Sequence, residues 1–318
     1  MTTAPEPAAD LTTRIGSVVL PNPVMTASGT AGHGAELAPY LDLSSLGAIV
    51  VKSLSAQPWA GNPAPRVHET AAGMINSVGL QGPGVEAWLA HELPAMLATG
   101  ARVVASIWGR TVAEYEAAAR LLASAPAEVI AVEVNLSCPN TEAARDLFAH
   151  SESATTDAIA ATAACGRPRW AKLSPNVTDI VPIADAAWRA GAEAVTLVNT
   201  VLAMSIDPER GSYRLGSEER GGGLSGPAIR PIAVRAIHDV HASLPGLPIV
   251  GVGGVARGVD AAELLLAGAS AVQVGTATFA DPRAPARVAG ELCEWARRTG
   301  RRSITEAVGA AHRRENTS

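Results

Sequence analysis

The 318-residue sequence predicts a single α/β domain, a parallel (β/α)8 barrel of the TIM type with an N-terminal hairpin and extended loops at its C-terminal rim. Three observations carry that prediction. Short, continuously apolar runs recur along the chain, the pattern of parallel strands covered on both faces. Polar or glycine-rich turns follow them, and stretches with three-and-four apolar spacing lie between. About eight such units in a chain of this length fit a closed barrel better than an open sheet. The alternative, a doubly wound sheet, needs a dinucleotide glycine fingerprint after its first strand, and Ala27-Ser28-Gly29-Thr30-Ala31-Gly32 has the wrong spacing.

In chain order, residues 1–10 are rich in Ala, Pro and Thr and are expected to form a disordered lead-in, leaving 11–318 as the barrel with a helical tail. The lead-in shows neither a basic start with an apolar stretch nor a spanning segment. Residues 11–20 alternate apolar and polar around Gly16-Ser17, which suggests a hairpin closing one end. Strands are expected at 23–26, 48–52, 102–107, 129–135, 169–173, 194–199, 248–252 and 271–274. Helices carry their own cues. Ile180, Ile183, Ala184 and Ala187 share a face, and Gly191 stands where a left-handed C-terminal turn is wanted. Ile229, Ile232, Ala233, Ala236, Ile237 and Val240 make one stripe on a helix that Pro227 helps to start. The longer connections, 53–86 and 201–225, leave from the C-terminal ends of strands, where barrels build sites.

Composition narrows the function. With 47% hydrophobic and 17% charged residues the chain can bury a large core. Its net charge is -5, and its basic runs are short patches such as Arg297-Arg298 and Arg301-Arg302, which argues against nucleic-acid binding. No membrane association is expected. The three cysteines, Cys138, Cys165 and Cys293, are widely separated and match neither a disulfide framework nor zinc or iron–sulfur spacing, so no metal is expected and a reducing cytoplasm fits.

The chemistry centres on Glu133-Val134-Asn135-Leu136-Ser137-Cys138-Pro139-Asn140, where an apolar strand gives way to two amides and a thiol. Pro139 cannot extend a ladder and disfavours helix at Cys138, so the chain must turn out of the sheet. A lone cysteine is usually a small buried hydrophobe. Flanking asparagines, costly in a core, tip the balance towards ligand recognition. Gly251-Val252-Gly253-Gly254 follows the seventh strand and Gly275-Thr276 the eighth, the order in which barrel loops form a phosphate cradle. Either motif alone reads as a tight turn. Residues 221–226 are either a flexible approach to the same ligand or a plain loop. The two lysines, Lys52 and Lys172, end apolar strands and should have partners. In a barrel, Asn76, Asn135, Asn140 and Asn199 converge, and so many amides suit a small planar heterocycle.

Several ordered segments together resemble a known family. Val24-Met25-Thr26-Ala27-Ser28-Gly29, Gly61-Asn62-Pro63-Ala64-Pro65-Arg66, residues 76–80 and 135–140, Lys172-Leu173-Ser174-Pro175-Asn176 and the late glycine loops look like the soluble class 1 dihydroorotate dehydrogenases. The similarity runs over residues 14–282, and 174–180 with 222–228 look most like the class 1B catalytic subunit. The resemblance implies FMN on the rim and oxidation of dihydroorotate to orotate in pyrimidine biosynthesis. It makes Cys138 the general base at C5 while hydride leaves C6 for the flavin. Lys52, Asn76, Val78, Gly79, Leu80, Asn135, Asn140, Asn199 and Thr200 match substrate positions. Ala27, Ser28, Lys52, Ser53, Ser106, Asn135, Lys172, Val198, Gly226, Gly253, Gly254, Gly275 and Thr276 match flavin positions. Class 1B enzymes pass electrons to a separate subunit carrying FAD and an iron–sulfur cluster, and thence to NAD, which implies a homodimer or heterotetramer. Cys138 and the Ala/Pro-rich start argue against the membrane-bound class, which uses serine and an N-terminal membrane helix.

Two features depart from the family pattern. Residues 141–165 contain no glycine where a glycine-rich active-site loop is usual, and Ser106, beside Trp108, stands where asparagine is common. Competing functions are an FMN barrel reductase acting on another dihydropyrimidine, a transfer-RNA reductase disfavoured by the acidic balance, and a non-catalytic phosphate-binding barrel.

Overall fold

A computed structural model describes residues 9–137, 147–217 and 221–314. Eight parallel strands form one sheet: Val24–Thr26, Ile49–Val50, Val103–Ile107, Val129–Asn135, Arg169–Lys172, Ala194–Leu197, Ile249–Val252 and Ala271–Val274. Each lies within a segment expected from the apolar runs. The eighth pairs with the first, and a parallel bridge from Met25 to Ala48 joins the first to the second, closing the barrel. The hairpin is present as Thr13–Ile15 and Val18–Leu20, with the Ser17 amide donating to Glu193 at 2.8 Å.

Strand parity sorts the side chains into two compartments. Val132, Val134, Val195 and Leu197 point outward into the core between barrel and helices, with Tyr115, Ala118, Ile159, Ala184, Ile237 and Leu264. The inward residues stack in layers. The lower layer is apolar: Met25, Val50, Val104, Trp170 and Val250 with Ala48, Ala131, Ala194 and Ala271, plugged from below by Ile15, Val18 and Leu20 of the hairpin. Trp170 is the bulkiest of these residues, set where four other positions offer only methyl groups. The next layer up holds buried Ser106, Glu133, Lys172, Thr196 and Gln273. Polarity therefore rises towards the C-terminal mouth.

Helix signals mostly behave as their chemistry dictates. Thr111 caps Val112–Leu122 by accepting from the Glu114 amide. Ile180, Ile183, Ala184 and Ala187 are buried, and Gly191 has φ +97°. On the helix Arg230–Ser243, Ile232 is exposed although it falls on the expected stripe; the buried face is Ala233, Ala236, Ile237 and Val240. Within the glycine-free stretch, the described residues include a crossover helix, Glu152–Ala161, capped by Ser151 and followed by a 3-10 turn, Thr162–Cys165, that ends at Gly166 with φ +63°. Absence of glycine there follows from helix propensity.

The two long connections build a second, antiparallel sheet at the C-terminal mouth, in the order Val201–Ala203, Gly222–Ser225, Gly73–Asn76, Val67–Thr70. Residues 222–225 are thus a paired strand, and glycine is needed at 223 because a side chain there would collide with Thr200. Among the described residues no helix is long and apolar enough to cross a membrane.

Candidate active site

Strand ends place the polar residues, and hydrogen bonds orient them. Asn135, inward-facing at the end of the fourth strand, is 6% exposed. Its Nδ2 donates to Ser53 Oγ at 3.3 Å, and that hydroxyl lies 2.9 Å from Ser106 Oγ. Its Oδ1 accepts from Asn199 Nδ2 at 3.1 Å and from the Ser137 amide at 3.2 Å. Asn199 Oδ1 accepts from the Thr200 amide at 2.8 Å, so both amide planes are set by the protein itself. An amide nitrogen carries two N–H groups, and Asn199 spends only one on Asn135. Tyr115 fixes the strand end by donating to the Asn135 carbonyl at 2.6 Å.

The mouth sheet closes over this chain of amides. Asn76 Nδ2 donates to the Gly223 carbonyl at 3.3 Å, and Gly223 packs on Thr200. Asn176 clamps the segment from behind, donating to Ser174 Oγ and the Thr200 carbonyl and accepting from the Leu202 amide. The loop bearing Val78, Gly79 and Leu80 is locked to residues 61–66 through Asn62 N to the Val78 carbonyl and Ser77 N to the Arg66 carbonyl. Leu80 has φ +61°, alone among the described non-glycine residues in being left-handed. Such outliers concentrate where ligands are clamped.

Lys172 is buried, with Nζ 3.1 Å from Ser28 Oγ and 3.5 Å from Glu133 Oε1. Lys52 is half-buried beside Gly29. Ser106 is fully buried and spends its hydroxyl on Ser53. Next to it, Trp108 meets Trp59 edge-on, with Arg110 over the Trp59 ring. Val198 is buried at the end of the sixth strand.

The late glycines meet around one helix start. Gly226, at φ +96°, precedes the turn Pro227–Ile229 that leads into Arg230–Ser243. Gly253 and Gly254 have φ +136° and +72°, and a Cβ at Gly254 would stand 2.6 Å from Arg230 Cβ. A Cβ at Gly275 would stand 3.3 Å from that of Ala27, and Thr276 Oγ1 donates to Ser225 Oγ at 2.7 Å. Bare backbone from three loops thus surrounds a helix N-terminus, where anions bind.

Cys138 and Asn140 lie outside the described residues. Of the other thiols, Cys165 is buried, and burial pushes its pKa up. Among the described residues no cluster of His, Cys, Asp or Glu is arranged to hold a metal.

Residues 10–295 match the family model for dihydroorotate dehydrogenase. The chain belongs to the dihydroorotate dehydrogenase family. It is 50% identical over 94% of its length to a protein of Desulforudis audaxviator named dihydroorotate dehydrogenase B (NAD(+)), catalytic subunit, covering 96% of that protein. A Geotalea daltonii protein of the same name is 42% identical, with 95% and 98% covered. A Solibacter usitatus protein, 46% identical with 94% and 97% covered, carries the provisional name dihydroorotate dehydrogenase A (fumarate).

Members of the dihydroorotate dehydrogenase family are FMN-dependent oxidoreductases, and the residues present fit that cofactor. The glycine cradle at the helix start suits the phosphate, while Ser28 and Lys172 offer donors at the rim towards the ring system. Residue reasoning alone gave no role to Glu133 or Ser225 and passed over Thr196 and Gln273. The signal was in the letters: Glu133 and Gln273 interrupt apolar strands at inward parity.

Proposed function

We propose that this mouth oxidises dihydroorotate to orotate, with Cys138 removing the C5 proton and FMN receiving the electrons. The observation that carries the reading is the continuous hydrogen-bonded chain Ser106–Ser53–Asn135–Asn199–Thr200, on the same mouth as Asn76 and the late glycine cradle. Dihydroorotate presents a carboxylate and two ring carbonyls, all acceptors. The second N–H of Asn199, the Asn76 amide and the Lys52 ammonium are donors of the matching kind. Val78, Gly79 and Leu80 line the approach, and Asn140 belongs to the same donor set. FMN, when bound, supplies the two-electron sink for hydride leaving C6. Ala27, Ser28, Ser53, Ser106, Asn135, Lys172 and Val198 would border its ring, and Gly226, Gly253, Gly254, Gly275 and Thr276 would hold its phosphate. Proton and hydride leave adjacent carbons, so the C5–C6 bond becomes double.

Electrons would then pass to NAD through a separate subunit bearing FAD and an iron–sulfur cluster, a reading supported by the relatives' names, NAD(+) and catalytic subunit; the three cysteines of this chain do not have cluster spacing, so the cluster would sit on that other chain. Anaerobic mixing with dihydroorotate should bleach the flavin in the wild type. Cys138→Ala should keep its flavin and lose the bleaching, while wild-type activity climbs with pH towards thiol ionisation near ~8.5. Equal bleaching in both proteins would refute the role of Cys138. Turnover with fumarate by this chain alone would instead favour the acceptor in the Solibacter usitatus relative's name.

A further inference from the structure

The layer beneath the mouth contains a charge pair that the reaction as described does not use. Glu133 is fully buried and the Lys172 side chain is 5% exposed. Burying such a pair seldom stabilises a fold more than apolar side chains of similar volume would, and the layer immediately below is entirely apolar. The carboxylate is held rigidly from two other strands. Its Oε2 accepts from Gln273 Nε2 at 2.7 Å and from Thr196 Oγ1 at 3.2 Å. Its Oε1 faces Lys172 Nζ at 3.5 Å and takes no hydrogen bond. The ammonium is therefore backed by the carboxylate without being consumed by it. It reaches Ser28, in the turn that follows the first strand, with one of its three N–H groups.

We propose that Glu133 is a positioning residue that holds the Lys172 ammonium at the rim and offsets its charge towards the bound flavin. This rests on the flavin reading of the mouth. Reduction places negative charge on a flavin ring, so a cation facing the ring favours the reduced form and an anion behind that cation opposes it. In a water-poor interior both effects are strong. Glu133 thus keeps Lys172 as an oriented donor while preventing it from trapping electrons that must move on.

Two measurements test the proposal. The midpoint potential of bound FMN should rise in Glu133→Gln and stay close to wild type in Glu133→Asp, which keeps the charge. Thermal melting of the flavin-free proteins tests the pairing independently. Lys172→Met, which strands the carboxylate, should melt several degrees below the Lys172→Met/Glu133→Gln double variant, in which both charges are gone. An unmoved or lowered potential in Glu133→Gln overturns the proposal, as does equal melting of the single and double variants. Failure of the wild type to bind FMN at all would instead overturn the flavin reading beneath it, and the melting comparison would still report on the pair.

Discussion

Gly254→Ala is the most direct test of the phosphate cradle, because its cost can be worked from the backbone. At φ +72° a residue with a Cβ adopts the left-handed region, at about 1–2 kcal/mol. The added methyl would also stand 2.6 Å from Arg230 Cβ and 3.1 Å from Arg230 N, closer than packing allows. Arg230 yields little, since Asp260 holds it at 2.5 Å and Glu263 at 2.9 Å. Overpacking of this kind costs about 1–3 kcal/mol, so the two effects together come to about 2–5 kcal/mol. If the cradle keeps its shape the cost appears as lost stability. If it moves, the cost appears as lost FMN affinity, where 2 kcal/mol is about 30-fold. Urea unfolding of the flavin-free protein and quenching of FMN fluorescence on titration read the two parts separately. Gly290→Ala, whose new methyl meets nothing within 4 Å, is the control. Stability and affinity both within about 0.5 kcal/mol of wild type would refute the cradle argument.

Two further outcomes are expected. Trp170→Ala should cost about 3–5 kcal/mol in urea unfolding, since neighbouring alanines cannot fill the space. Trp170→Phe should cost less, because the indole N–H it removes has no acceptor; a loss under about 1 kcal/mol for the alanine variant would mean that the layer collapses. The third concerns pH. His241 on the helix Arg230–Ser243 is held below its ordinary value of 6.5, first by burial and then by His312, Arg313 and His238, with Asp239 beside His238. The unfolded chain therefore binds more protons between the folded value and 6.5, and stability increases with pH across that window. The contribution is complete above 6.5 and is lost as pH falls through the folded value. His241→Leu should flatten this part of the melting-temperature profile, and an unchanged slope would count against it.

Much of the architecture was legible in the residues because parallel strands and their covering helices write local, periodic patterns. All eight strand segments were visible as apolar runs, and the Gly16-Ser17 hairpin as an alternation. Ile232 was misjudged, because a stripe position shows what a segment can do locally, while packing decides which face is buried.

The sequence by itself determined the barrel, the family and the kinds of polar group at the strand ends, since those depend on periodicity and on residue chemistry. Only the tertiary structure decided that Asn135 and Asn199 orient one another across 64 residues of chain, and that Glu133 lies against Lys172, Thr196 and Gln273. Closing the barrel turns inward parity on separate strands into direct contact. That closure is a long-range event, and no local pattern encodes which inward residues will meet.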